Sequence, residues 1–443
     1  MNKETLTWVG KWTFILAAAG SAVGLGNIWG FPYKAGTNGG GAFVLIYLGC
    51  ILIIGLPIMI SEIMLGKRYR GSPVSTMKDA ATESASSSNW QAIGWGGLIA
   101  GVVILSFYSV LAGICLNYIF ISLGLEGEID SIAKFQQVTS SPLQLLLWHT
   151  IFILITAWII AAGVISGIER MVKLLMPMLF ILMIIMVVNA FINGNFSQAF
   201  SFLFSPDFSA VNANTYLSAM GQAFFSLSLG MGAIMCYGAY MSPDQEIYES
   251  SAIVAGLDTL IAMLAGLAIF PIIFAYGVEP NSGPGLVFIS LLSIFADLPF
   301  GNIIGGLFFL LLSIAALSSS ISLLEPSVAY FAEKNILSRP IASSMLAGIA
   351  WFIGLGSLLS FNVWSEYTFI GSRNFLDSMD LLANQFLLPL GGLFVAIFAG
   401  WKLNPSIAKA ELGGSEFVFR LWQFFIRFIS PVLVFGIFVF QLI

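Results

Sequence analysis

The stretch GSAVGLGNIWGFPY (Gly20 to Tyr33) continues an apolar run that begins WTFILAAA, yet it carries glycines at 20, 24, 26 and 30, Asn27 and Pro32. Inside hydrocarbon, backbone N–H and C=O groups released from a helix cost several kcal/mol each unless they line a protein or water cavity. Such a break therefore makes ligands. The N-terminus of a half-helix offers N–H groups and partial positive charge to a carboxylate, and C-terminal carbonyls suit a small hard cation. A second stretch, GQAFFSLSLGMGAIMCYG (Gly221 to Gly238), repeats the pattern, with Gly230 and Gly232 beside Ser226 and Ser228. Gly20, Ala22, Gly24 and Gly26 also fit small-xxx-small helix packing, but a matching break in a second segment favours the site.

Two further groups could join this chemistry. Asp258 lies mid-run in SSAIVAGLDTLIAMLAGLAIFP with no Lys or Arg in the same span. A charge there costs at least about 2.5–3.5 kcal/mol, so Asp258 is either protonated or compensated by a bound cation. Glu62, in MISEIMLG, fits either a hydrogen bond to unwound backbone or placement near an interface. In IAALSSSISLLEP the consecutive Ser318, Ser319 and Ser320 fit back-bonding to their own helix, or, beside broken helices, oxygen ligation of a hard cation. Cys50, Cys115 and Cys236 sit in apolar runs without ligand spacing, and His149 is the lone histidine, so a zinc or copper centre has no basis.

The elements that must position these residues follow from composition. The chain is 58% hydrophobic and only 9% charged, with mean hydropathy +0.95, which excludes a soluble domain. Apolar runs predict helices at about 12–35, 41–69, 91–123, 144–165, 169–193, 213–242, 246–277, 303–332, 340–360, 375–401 and 417–441. The expected fold is thus an all-α polytopic bundle of about eleven spans in the lipid bilayer. No cleavable signal peptide is expected before the first span. Most Lys and Arg fall on the N-terminal side of alternate connections and only Lys34, Lys134 and Arg373 opposite, which puts the N-terminus in the cytoplasm and the C-terminus outside. The two glycine-broken segments are the first and sixth. Five spans apart, they cross in opposite directions, as in an inverted repeat of two five-helix halves, about 12–193 and 213–401, followed by a helix at about 417–441. The stretch Pro280 to Asn302 reads as a helical hairpin loop that either caps a vestibule or merely lies in the interface.

AAAGSAVGLGNIWGFPY, NGGGAF, GQAFFSLSLGMGAI and ALSSSIS together resemble the neurotransmitter:sodium symporter family, in the segment order of its bacterial amino-acid transporters of the leucine-transporter fold. The resemblance implies two sodium ions and helices 1 and 6 unwound at midplane. The first ion would meet the Ala22 carbonyl, Asn27, Ser226 and Asp258; the second would meet the carbonyls of Gly20, Val23 and Ala315 and the hydroxyls of Ser318 and Ser319. The substrate carboxylate would take the N–H groups of Leu25 and Gly26 and the Tyr108 hydroxyl, and its amino group would face Ala22, Phe225, Ser226 and Ser228. Val23, Ile104, Tyr108, Phe225, Met231, Ser319, Ser322 and Leu323 would wall the side chain. Where such proteins carry a gate arginine, this chain reads Gly30, while the acidic partner remains as Asp380. At the other end Thr5 replaces an arginine three residues before Trp8, and Glu333 matches the expected acid. The gates would then rest on Lys3 or Arg373, or on Gln222, Tyr240 and aromatic closure.

The implied function is sodium-coupled import of a neutral, largely hydrophobic L-amino acid by alternating access across the cell (inner) membrane, without a chloride requirement because Asp258 supplies the negative charge. Alternatives are proton coupling, a betaine or GABA-like solute, or an amino-acid-sensing transceptor or channel. No motif points to an enzyme, an organic cofactor or nucleic acid. A monomer suffices for transport, and a dimer is also compatible.

Overall fold

A computed structural model describes residues 7–127, 129–280 and 285–442. The first segment is broken: α1 (Lys11–Ala22) and α2 (Gly26–Thr37) meet at 53°. They are followed by α3 (Gly41–Tyr69), a short, largely buried helix α4 (Pro73–Glu83), α5 (Ser88–Leu123), α6 (Pro142–Ala161) and α7 (Val164–Asn193). The sixth segment is broken too, into α8 (Ala213–Ser226) and α9 (Ala233–Ala239). Then come α10 (Ile247–Ala275), the short apolar α11 (Leu286–Asp297), α12 (Gly301–Glu333), α13 (Arg339–Leu359), α14 (Phe375–Lys402) and α15 (Glu416–Gly436). Among the described residues, nine helices are long and apolar enough to span a membrane unaided, and the α1/α2 pair makes a tenth. Counting α8/α9 as one interrupted segment gives the eleven read from the sequence.

The architecture places the two broken segments at its centre. Helices α5 and α12, the most enclosed of the long spans, pack along one another, and α13 and α6 complete that wall. Against it lies α1, and α10 packs on both α1 and α2, with α9 on α3. The half α1 packs on α9 and α2 packs on α8, so the first half of one segment meets the second half of the other. The two segments therefore run antiparallel, as an inverted repeat requires. One boundary differs from the sequence reading. Gly163, at φ 105°, ends the preceding helix and lets α7 begin at Val164 rather than near 169. Within α7 Glu169 pairs with Lys173 at 2.6 Å and accepts the Val9 N–H at 3.3 Å.

Candidate substrate and ion site

The breaks themselves create the site. Val23 leaves the helix with extended backbone (φ −74°, ψ 106°), and Ser228, Gly230 and Gly232 take φ of 54°, 80° and 74°. Gly230 has no alternative: besides its positive φ, a Cβ there would run into the backbone of Leu388 and Gly392 on α14. Its freed N–H donates to Glu62 Oε1 at 2.8 Å, so the fully buried Glu62 on α3 caps unwound backbone and does not sit at an interface. The Ser228 hydroxyl reaches across to the Ser21 carbonyl at 2.8 Å and ties one break to the other.

Asp258 is fully buried and has no Lys or Arg partner among the described residues. Asn27 Nδ2 donates to its Oδ1 at 2.6 Å, while Asn27 Oδ1 accepts the Gly24 N–H at 3.1 Å. Tyr47 donates to Asp258 Oδ2 at 3.4 Å, and its hydroxyl lies 3.1 Å from that of Ser226. Asp258, Asn27 and Ser226 thus share one polar cluster, to which the structure adds Tyr47, hidden from sequence reasoning inside an apolar run. A carboxylate ringed by neutral dipoles and without a cation of its own is a strong attractor for a small cation. On the opposite flank, Ser318 Oγ and Ser319 Oγ lie 3.5 Å and 3.2 Å from the Val23 carbonyl, and Ser318 also donates to Ala315 O at 3.0 Å. A Cβ on Gly20 would meet Met176 Sδ at 2.9 Å and Ser318 Cβ at 3.5 Å, so Gly20 packs closely between α7 and Ser318. Ser320 instead faces Thr156, with the hydroxyls 2.8 Å apart.

Between these clusters lies a small cavity lined by Ala22, Gly26, Ile104, Tyr108, Phe225, Ser228, Met231, Ser319, Ser322 and Leu323, all read as substrate positions from the sequence, together with Ser21 and Gly24. Gly24 escaped that list, although a Cβ on it would press Ser319 Oγ at 2.5 Å and the Tyr108 hydroxyl at 2.9 Å. Three expected lining residues point elsewhere: Val23 offers its carbonyl to the serines, Ser226 faces Tyr47, and Leu25 donates its N–H to Tyr108 at 3.2 Å.

Tyr108, Phe225 and Gly26 also line a wide, open vestibule, so they form the partition between it and the cavity. Gly30, Lys34, Gln222, Asp377, Asp380 and Asn384 line the vestibule too, and Gln222 Nε2 bonds the Gly26 carbonyl at 2.7 Å. The α11 hairpin contributes Phe288, edge-on to Trp29 at 5.8 Å, and so caps one wall; residues 281–284 of that stretch lie outside the described residues. The opposite end is shut. Trp8 is buried edge-on against Tyr237 and Tyr240, each 5.6 Å away, and its indole N–H donates to Tyr237 O at 3.1 Å. Tyr240 donates to Glu325 Oε1 at 2.8 Å, and Glu325 pairs with Arg339. Glu333 instead accepts the Ser72 N–H at 2.8 Å and lies 3.6 Å from Lys334. Lys3 and Thr5 lie outside the described residues, and the Arg373 side chain is not among the groups lining the vestibule.

Comparison with known proteins decides what this arrangement serves. The model of the sodium:neurotransmitter symporter family matches residues 5–129 and 129–443. The chain belongs to that family. It is 35% identical to the uncharacterized sodium-dependent transporter YhdH of Bacillus subtilis (strain 168), over 99% of this chain and 98% of that one. A sodium-dependent nutrient amino acid transporter of Drosophila virilis is 22% identical over 99% of this chain and 77% of its own length. Among solved structures, MhsT in complex with L-phenylalanine matches with TM-score 0.91 and 43% identity, over 98% of this chain and 99% of that one. This family member is a membrane-spanning, sodium-dependent transporter of the leucine-transporter fold and not an enzyme.

Proposed function

We propose that the protein imports a neutral, largely hydrophobic L-amino acid together with two sodium ions, without a chloride requirement, by alternating access across the cell membrane. One observation carries the reading: the freed backbone of both broken segments converges on a single cavity with Asp258 on one flank and Ser318 and Ser319 on the other. The N–H groups of Leu25 and Gly26 stand at the start of α2, where partial positive charge favours a carboxylate, and the Tyr108 hydroxyl that now accepts the Leu25 N–H would turn to the same group. The remaining walls, Ile104, Phe225, Met231 and Leu323, are apolar and suit a hydrophobic side chain. The bound L-phenylalanine of MhsT and the name of the Drosophila relative support an amino-acid substrate.

Sodium enters this account as a co-substrate. At the first site it would neutralise Asp258, and Asn27 would present Oδ1 to the ion in place of the Nδ2 donor it now gives the carboxylate. With +2 from the ions, 0 from a zwitterion and −1 from Asp258, one positive charge remains, and no chloride is needed to balance the first ion. The lysine and arginine bias supports an N-terminus in the cytoplasm, which would make the Trp8 end face inward and the vestibule outward. One chain carries the whole proposed site, which supports transport by a monomer and is compatible with a dimer. The test is uptake into proteoliposomes. Concentrative uptake driven by sodium and unchanged when gluconate replaces chloride supports the reading; uptake indifferent to sodium refutes it. A thermal-shift screen of the twenty amino acids in sodium and in potassium then identifies the substrate.

A further inference from the structure

Arg427 stands inside the span α15, in the apolar run LWQFFIRFIS. A Cβ on Gly400 would lie 3.0 Å from Arg427 Cα and 3.1 Å from the Ile426 carbonyl oxygen, so glycine there lets the last turn of α14 come up against α15. That approach seats Trp401 beneath the guanidinium, with Arg427 Cζ 4.7 Å from the centre of the ring. The indole N–H donates to the Arg427 carbonyl at 2.9 Å, which fixes the ring in place, and Phe428 meets it edge-on at 5.6 Å. Trp401, Phe424 and Phe428 are exposed on helices long and apolar enough to cross a bilayer, so this platform faces lipid.

A guanidinium carries five N–H donors and no acceptor. Arg68, Arg339 and Arg420 each have a glutamate partner, but Arg427 makes no ion pair among the described residues, and its Nε is enclosed without a hydrogen-bond partner. Lys402, exposed and next to Trp401, has no ion pair either. A charge within a span is ordinarily paired or turned to a water-filled cavity. Arg427 lines neither the cavity nor the vestibule. The acceptor that reaches such a place from outside is the phosphate of a lipid headgroup, whose oxygens match the guanidinium fork two at a time. Two uncompensated cations favour a headgroup of net negative charge.

We propose that the end of α14 and the facing turn of α15 bind the phosphate of an anionic phospholipid, with Arg427 as its donor, Trp401 as the platform and Lys402 at the rim. The site stands apart from the substrate and ion cavity and does not depend on what is transported. The test counts lipid bound to the purified, detergent-solubilised protein by native mass spectrometry as dioleoyl phosphatidylglycerol is titrated in. Dioleoyl phosphatidylcholine and inorganic phosphate are separate arms. One phosphatidylglycerol should bind ahead of any others, and phosphatidylcholine should bind more weakly. R427Q should weaken that first binding roughly tenfold or more. Trp401→Leu, which keeps the charge and removes the platform, should weaken it about two- to fivefold. R427K keeps the charge but loses the paired contact, and should fall between the parent and R427Q. Equal binding by R427Q and the parent overturns the site, as does phosphatidylcholine bound as tightly as phosphatidylglycerol. Inorganic phosphate bound as well as the lipid overturns the lipid assignment. Should R427Q fail to fold, undiminished binding in both Trp401→Leu and R427K overturns the site by itself.

Discussion

The two ends of the path through this transporter are built from different materials. At the Trp8 end a buried indole, two tyrosines and the Glu325–Arg339 pair are packed together, Glu325 fully enclosed and Arg339 also bonded to the Ile160 carbonyl at 2.9 Å. At the Lys34 end, Lys34, Asp377 and Asp380 line an open vestibule, and none of them is in an ion pair among the described residues. The difference is one of solvent. Charges already desolvated hold their elements together because parting them strands an ion in a poor medium, whereas charges in water attract only weakly until something expels the water. One end is therefore held together in this state, and the other carries unpaired charges around an open vestibule.

The largest expected effect comes from breaking the engaged end. Arg339→Met leaves Glu325 buried without its cation, a loss of about 3–5 kcal/mol for removing one partner of a buried pair. Opening at the Trp8 end then rises roughly a hundred- to several-thousandfold, within the limit that the pair is re-solvated on opening. The native Cys236, buried beside Tyr240, reports it: its labelling by a small thiol reagent should accelerate by that order in Arg339→Met. Adding Glu325→Gln removes the stranded charge and should return most of the protection. If both variants label alike, the aromatic packing around Trp8, not the ion pair, keeps this end shut.

A smaller effect is expected between the ends. Asp258→Asn keeps the shape of the polar cluster but removes its charge, which should weaken sodium binding by roughly 1.5–3 kcal/mol, or about ten- to a hundredfold. Uptake should then respond to chloride, because an external anion can supply what the side chain no longer does. Cys236 labelling without sodium should stay at the parental rate, since Asp258 belongs to neither end. A change in that rate would show that the ion site and the engaged end are not separate devices.

How much of this was legible in the sequence depends on whether a residue breaks the pattern around it. Gly24, Gly26, Gly230 and Gly232 interrupt apolar runs and were read as helix breaks, and Asp258, Ser318 and Ser319 stand out as polar groups in such runs and were read as ion ligands; the structure breaks both helices at those glycines and lines the cavity with Gly24, Gly26 and Ser319. Tyr47 was missed because a tyrosine in an apolar run reads as bulk, and only the packing of α3 against α10 turns its hydroxyl on Asp258. Glu325 and Arg339 were missed for another reason. Each lies near the end of a span, where charges are ordinary, and their pairing across the turn between α12 and α13 depends on α12 running on through Pro326 to Glu333. Lys34 was counted only as a charge on the sparse side of the membrane, because no sequence pattern says which cavity it will line.

The smallest expected effect sharpens the weak end. Gly30→Arg places a guanidinium in the open room beside Gln222, one turn nearer the partition than Lys34. There it can pair with Asp380 before substrate arrives, and an exposed pair of this kind contributes about 0.2–1 kcal/mol, less than a factor of about six in the balance between open and closed vestibule. Labelling of a reporter cysteine at Ser218 on the vestibule wall by a membrane-impermeant maleimide, in the absence of amino acid, should therefore fall by no more than that factor, and uptake should slow as reopening becomes harder. Combining Gly30→Arg with Asp380→Asn separates pairing from bulk. If the arginine acts through the pair, the double variant labels at the parental rate; if labelling stays slow, the arginine merely fills the vestibule.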